Sequence, residues 1–290
     1  FGKLSPEEIA AFRARYFACA LAKKPEAGRV IIDKMPLNCL DMGAAHLHPL
    51  NLALGLARAA QAAGVEIYER SAVHHITEGS TATVQTDGGR VTADHVILAC
   101  NGYLGGLNRK VAAKVMPINN FIVATEPLGD RVKDVLPRDV AVADSKFVVN
   151  YFRLSHDGRL LFGGGESYGY RFPSDLAAKA RKPMGQVFPT LRDVKIDYAW
   201  GGTLAITMKR LPFLARVAPN ILSASGYSGH GVGTAIHAGQ LMARAIQGDG
   251  DGFDTMSALP TPTFPGGGAL RSPLLALAMS WFSLRDRLGI

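Results

Sequence analysis

Ser225-Gly226-Tyr227-Ser228-Gly229-His230-Gly231-Val232-Gly233-Thr234 packs four glycines, two serines, a tyrosine, a histidine and a threonine into one short connection. An apolar run, Ile221 to Ala224, precedes it, and a helical pattern from Ala235 to Ile246 follows. A strand, a glycine-rich turn and a helix N-terminus make a site for a negatively charged or electron-rich ligand. Small residues let the backbone approach such a ligand, and the unpaired N–H groups of the first helical turn point at it. The spacing closes one residue short of the dinucleotide signature G-x-G-x-x-G. A tight strand-to-helix connection with spare glycines accounts for the same residues, and the turn alone does not choose between the two.

Other reactive residues carry weaker patterns. His46 and His48 alternate with apolar residues just before a helix, but no third ligand accompanies them, so capping or packing is expected and no metal site. Cys19, Cys39 and Cys100 are odd in number and lack metal-ligand spacing, which suits a reduced, cytoplasmic protein with three small apolar side chains. The net charge of +8 favours anionic ligands, yet the basic residues are scattered with no block or aromatic-interleaved stripe. No nucleic-acid partner is expected.

The elements that must hold the turn follow from pattern and punctuation. Ser5-Pro6-Glu7-Glu8 starts a helix to about Lys23, and Arg29 to Asp33 reads as a strand. His48-Pro49 opens an amphipathic helix to Ala63, stopped by Gly64, and Val65 to Glu69 reads as a strand of an α/β crossover. Val73 to Glu78, Ala82 to Thr86 and Arg90 to Ala93 form an antiparallel meander turning at Asp87-Gly88-Gly89, and His95 to Cys100 is a buried strand. Strands are then expected at Ile118 to Thr125, Phe147 to Leu154, Arg159 to Phe162 and Asp197 to Thr207, with a helix near Ser174 to Ala180. This stretch reads as a separate layer inserted into the first. A Pro/Gly-rich tail ends in an apolar helix from about Ser272 to Leu288, too short and interrupted to span a bilayer. The 290 residues, 48% of them hydrophobic, suit two interleaved domains, and a start at Phe1 suggests a chain that begins inside a longer protein.

Four segments in order resemble the D-amino-acid oxidase-like family of FAD-dependent amine oxidoreductases, and within it the γ-glutamylputrescine oxidase branch. They are Gly43-Ala44-Ala45-His46-Leu47-His48-Pro49-Leu50, Ala93 to Tyr103, Tyr227 to Thr234 and Phe253 to Leu288. The last, with Phe264-Pro265-Gly266-Gly267 and Leu270-Arg271-Ser272-Pro273, is the branch-level marker, while the first forty residues match poorly. The resemblance implies a mixed α/β (α+β) fold, in which an incomplete FAD-binding Rossmann-like domain is interleaved with a mixed antiparallel-sheet substrate domain. On that reading residues 1–42 belong to the substrate domain, 43–110 to the FAD-binding domain, 111–214 to the substrate domain, 215–250 to the C-terminal strand, turn and helix of the FAD-binding domain, and 251–290 to the tail. The G-x-G-x-x-G turn that would hold the FAD pyrophosphate is absent from the sequence. Gly163-Gly164-Gly165 follows a strand without a convincing helix after it. A missing N-terminal half or a partner chain is therefore expected to supply the pyrophosphate site.

The resemblance also distributes roles. Ser228, Gly229, His230, Gly231, Val232, Gly233 and Thr234 would lie against the flavin, Val73 would pair its backbone with the adenine, and Asn101 and Gly102 would sit beside the diphosphate-ribose. The implied activity is oxidation of a small-molecule amine or amino acid at its C–N bond to an imine that hydrolyses to a carbonyl, with oxygen or another acceptor reoxidising the flavin. The contrasting reading is a catalytically silent fragment or subunit that needs a separate nucleotide-binding chain. Substrate-side candidates are Tyr151, Arg153, Glu166, Tyr168 and Trp200. The aromatic rings would wall an amine, Glu166 would attract its charge, and Arg153 would pair with a carboxylate. Core and surface packing explains each of them singly.

Overall fold

A computed structural model describes residues 47–136, 140–144, 149–168 and 171–265. The helix expected at 5–23, the strand at 29–33 and the C-terminal helix at 272–288 lie outside the described residues.

Helix α1 (Pro49–Ala62) starts as its residues dictate. Pro49 occupies the first turn, and His48 Nδ1 accepts the Asn51 N–H at 3.3 Å. Gly64 stops it at φ +86°, where its N–H reaches the Gln61 carbonyl at 2.9 Å. None of its residues is buried. Val65 to Glu69, expected as a strand, is irregular instead. A strand forms by pairing, and no described strand lies beside this segment, so Val65, Ile67 and Tyr68 remain exposed.

The meander is present as β1 (Val73–Thr77), β2 (Ala82–Thr86) and β3 (Gly89–Ala93), antiparallel in that order. β4 is shorter than expected, Val96–Leu98. It pairs in parallel with β11 (Ile221–Ser225), which pairs antiparallel with β10 (Phe213–Ala218). β11 is buried along its whole length because both faces are covered, one by Val96, Leu98 and Val111, the other by Leu241, Met242 and Phe253. Asn220 Nδ2 donates to the Ser80 and Asp94 carbonyls at 3.3 and 2.8 Å, fastening the meander to this sheet.

The third sheet runs β6 (Val142–Ala143), β7 (Tyr151–Leu154), β8 (Arg159–Tyr168), β5 (Met116–Pro127), β9 (Ile196–Ile206), antiparallel throughout. One face packs on α4 (Leu176–Val187) through Val123, Phe162, Ala180, Met184 and Leu191. β8 is longer than its apolar run suggests, since Gly163-Gly164-Gly165 lie inside it. Two α-turns, α2 (Arg109–Ala112) and α3 (Val132–Val135), flank β5. Helices α5 (Gly231–Ile246) and α6 (Asp251–Ser257) close the chain described here.

At the far end of the third sheet, Asp197 accepts hydrogen bonds from Arg159 Nη1 at 2.6 Å and Lys195 Nζ at 2.9 Å. Those cations hold its carboxyl below the ordinary 3.8. A depressed folded value contributes stability that is present above the unfolded value and lost as pH falls through the folded one. The urea midpoint should therefore drop as pH falls below 3.8, and Asp197→Asn should flatten that drop.

Candidate active site

Two surfaces carry the candidate residues. The first is the turn between β11 and α5. Leaving the core at Ser225, the backbone enters the left-handed region at Gly226 (φ +72°), Ser228 (φ +54°) and Gly229 (φ +94°). That conformation costs a residue with a Cβ roughly 1 kcal/mol, so Ser228 must be held there. Its N–H donates to the Ala205 carbonyl at 3.0 Å, and its Oγ accepts the Thr207 N–H at 3.2 Å and donates to the Gly226 carbonyl at 3.1 Å. A Cβ on Gly226 would come within 2.5 Å of Thr207 Cγ2, which makes glycine necessary there on two counts.

A 3₁₀ turn, Asn101–Tyr103, braces this turn from the end of β4. Asn101, itself at φ +45°, accepts the Gly226 N–H on Oδ1 at 3.0 Å. A Cβ on Gly102 would overlap the Thr203 carbonyl. Tyr103 Oη accepts the Thr203 N–H at 3.0 Å, and Thr203 Oγ1 donates to Asn119 Oδ1 at 2.7 Å. The glycine turn is thereby tied to β9 and β5.

The turn ends at His230, the N-cap of α5, whose side chain makes no cap bond. The first intrahelical bond runs from the Thr234 N–H to the His230 carbonyl at 3.4 Å. No acidic residue occupies the first turn, Val232 is 51% exposed, and a Cβ on Gly229 would meet nothing within 4 Å. Backbone N–H donors without a side-chain cap, at the positive end of a 16-residue helix and open to approach, suit an electron-rich ligand edge.

The second surface is the third-sheet face opposite α4. In β8, Gly165 at φ +87° marks an extra residue: Gly163 pairs with Ile122 and Glu166 with Asn120. The bulge turns Glu166 onto the face that carries Asn120 and Ile122. Register puts Trp200, opposite Ile122, and Gly202, opposite Asn120, on the same face. Tyr151 stands opposite Gly163, and its ring occupies the place a Gly163 side chain would fill. Its hydroxyl donates to Asn120 Oδ1. Glu166 Oε2 is buried and has no hydrogen-bond partner among the described residues. Burial pushes the Glu166 carboxyl up, and the Arg210 guanidinium opposes that rise. Burial, with the Glu166 charge, pushes the Tyr151 hydroxyl up as well, so it remains a protonated donor. The face therefore offers an acceptor oxygen, aromatic walls in Tyr151 and 44%-exposed Trp200, and an open floor at Gly202.

Tyr151, Glu166 and Trp200 thus share one face. Arg153 lies two residues from Tyr151 on the side away from Glu166, and its Nη1 donates to the Leu154 carbonyl at 3.3 Å. Tyr168 continues β8 past Glu166, opposite Ile118; its side chain lies outside the described residues. Asn101 binds the glycine turn and Gly102 packs on the Thr203 and Leu204 backbone of β9, whereas Val73 begins β1 in the separate meander, opposite Thr86. Asn120 and Arg210 were not foreseen. Asn119-Asn120 inside an otherwise apolar strand is a readable signal, but nothing in Lys209-Arg210-Leu211-Pro212 marks a charge that acts on Glu166. His48 caps α1, and among the described residues no group of three His, Cys, Asp or Glu could hold a metal. Nor is any described helix long and apolar enough to cross a membrane.

The profile of the family described as FAD dependent oxidoreductase (DAO) matches residues 15–245. The chain belongs to this family. Among its relatives in that family, the probable oxidoreductase OrdL of Rhizobium meliloti (strain 1021) is 46% identical over 248 residues, 85% of this chain and 58% of the relative. The gamma-glutamylputrescine oxidoreductase of Escherichia coli (strain K12) is 42% identical over 263 residues, 90% of this chain and 62% of the relative. The chain therefore spans about three-fifths of the length of these relatives. In fold it is similar to glycine oxidase from Geobacillus kaustophilus, with a TM-score of 0.59 at 23% identity over 70% of this chain and 55% of that one. L-proline dehydrogenase from P. horikoshii gives 0.58 at 21% identity over 69% and 55%. FAD is the family's cofactor, and the uncapped donors at the α5 N-terminus fit the hydrogen-bond-accepting pyrimidine edge of its ring system.

Proposed function

We propose that this chain contributes the flavin-facing turn and the substrate face of an oxidoreductase that converts an amine or amino-acid C–N bond to an imine, which water hydrolyses to a carbonyl. Bound FAD would accept the two electrons and pass them to oxygen or another acceptor. The N–H groups of Gly231, Val232 and Gly233 would hold the electron-rich edge of the cofactor, with Asn101 and Gly102 fixing the turn that presents them. On the sheet face, Tyr151 and Trp200 exclude water from the substrate chain. Glu166 Oε2 attracts the substrate ammonium and takes its proton, leaving the neutral amine that oxidation requires. Tyr151, protonated and anchored on Asn120, keeps that corner rigid.

The observation that carries this reading is the buried, unpartnered Glu166 oxygen on an otherwise open aromatic face. The gamma-glutamylputrescine oxidoreductase and glycine oxidase among its relatives and neighbours support the substrate class. Mixing flavin-loaded protein with candidate amines in the absence of oxygen tests it. Bleaching of the visible flavin band by at least one amine is expected, and a band that no amine or amino acid bleaches would overturn the reading.

A second reading is favoured by α1, which buries none of its residues. On it, the chain works only with a separate nucleotide-binding chain. Flavin retained by the purified chain on gel filtration excludes that reading, while flavin gained only with a second protein supports it.

A further inference from the structure

A cavity of about 250 Å³ opens between the end of β1, the β4–β11 sheet and the loop into α2. Four aliphatic side chains from separate elements form its floor: Ile76 of β1, Leu98 of β4, Ile221 of β11 and Leu107 of the loop. All four pack in one core cluster, with Leu98 and Ile221 buried. The walls are pinned. Asn108 Oδ1 accepts the Val111 N–H at 3.1 Å, Val111 is buried, and Lys110 Nζ donates to the Val217 carbonyl at 2.7 Å, which holds α2 against the sheet. On the opposite wall, Asn220 Nδ2 holds the Ser80 carbonyl just beyond Glu78 at 3.3 Å. Two charges line this cavity, and neither is matched. Glu78 and Arg109 are exposed, and among the described residues neither side chain takes part in an ion pair or hydrogen bond. Their charged ends therefore stand more than 4.0 Å apart.

We propose that this cavity is a binding site for a small aliphatic amino acid, separate from the substrate face. The ligand's ammonium meets Glu78, its carboxylate meets Arg109, and its side chain lies against Ile76, Leu98, Leu107 and Ile221. Opposite charges held apart over an aliphatic floor complement a molecule that carries both charges on an aliphatic body. A lone anion would meet the Glu78 charge, and a lone cation would meet Arg109 and Lys110, so a ligand with both ends fits the lining best. The cavity lies away from the glycine turn, since Ile221 begins β11 and the turn leaves the other end of that strand at Ser225. No residue of the third sheet lines it. Exposed ion contacts are weak in water, so a dissociation constant on the order of 1 mM is expected.

The full chain, labelled with ¹³C at its isoleucine methyls and titrated with L-leucine in the absence of flavin, tests this by NMR. The Ile76 and Ile221 signals are those missing from Ile76→Val and Ile221→Val, and Ile122, identified in the same way, reports on the substrate face. A saturable shift at Ile76 and Ile221 is expected. Glu78→Gln and Arg109→Gln should each weaken it about threefold, and Glu166→Gln should leave it unchanged. Both cavity substitutions are at exposed positions, so the rest of the methyl spectrum should stay as in the wild type. Isocaproate, which lacks the ammonium, and isoamylamine, which lacks the carboxylate, should each bind more weakly than leucine. The proposal is overturned by shifts confined to Ile122, by no saturable shift at all, by affinity that either charge substitution leaves unchanged, or by equal binding of either single-charge analogue. Amine oxidation is read separately by flavin bleaching, so a failed titration leaves the proposed activity standing, and a protein that oxidises no amine leaves the titration standing.

Discussion

Gly102→Ala should lower the stability of the chain by about 3 kcal/mol, near the upper range for forcing atoms into a filled site. The added Cβ would overlap the Thr203 carbonyl oxygen and press on Thr203 and Leu204 backbone carbons as well. These are main-chain atoms of a paired strand, so no side-chain rotation relieves the clash. The 3₁₀ turn must move instead, and Asn101 moves with it, away from the Gly226 N–H it binds at 3.0 Å. The expected result is a double loss: a lower urea midpoint with an unchanged slope, and weaker flavin binding at temperatures where the variant is still folded. Asn101→Ala serves as the comparison. It removes the bond without the clash and should lose flavin affinity with a smaller loss of stability, about 1 kcal/mol.

Glu166→Gln should act in the opposite sense on the two properties. A desolvated carboxyl whose Oε2 has no hydrogen bond contributes little to folding, and a neutral amide of the same shape costs less to bury. Stability should be unchanged or slightly higher. Capture of a substrate ammonium loses its charged acceptor, worth about 2 kcal/mol, so the amine KM at neutral pH should rise roughly thirtyfold. The pH dependence separates this from a packing defect. In the wild-type protein, amine binding weakens as pH falls through the upward-shifted Glu166 value, and in Glu166→Gln that limb disappears. Steady-state KM measured across pH, with melting temperature as the control, checks both signs.

Local patterns read well where the determinant is local. The His48-Pro49 start and Gly64 stop of α1, the three-strand meander and the strand before the glycine turn all follow from neighbouring residues. The family resemblance rests on the same kind of signal, since the glycine turn and the Ala93 to Tyr103 segment are contiguous. What the sequence hid depends on pairing. Val65 to Glu69 has strand composition but no strand beside it among the described residues, and β10, which the sequence does not announce, supplies one edge of β11. The substrate face is the clearest case. Chemistry alone marks Tyr151, Glu166 and Trp200 in the sequence, and only the register of β7, β8, β5 and β9 shows that they share a face. Glu166 reaches that face through the bulge at Gly165, which looked in the sequence like part of a glycine cluster after a strand. Arg210, whose charge bears on Glu166, lies in a loop joined to Ser228 through Thr207, at a distance in sequence that no spacing rule covers.

The central claim, that the uncapped start of α5 faces the flavin, predicts opposite effects from one exposed substitution. Val232→Glu puts a carboxylate in the first turn of a helix that has no acidic residue there. It should stabilise the chain by about 0.5 kcal/mol through the helix dipole while repelling the electron-rich ligand from the same donors. Titrating FAD into the wild-type chain and Val232→Glu under identical conditions is the direct measurement. Clearly weaker FAD binding by a variant that melts no lower than the wild type is the predicted result. Equal affinity for FAD in the two proteins would contradict the account.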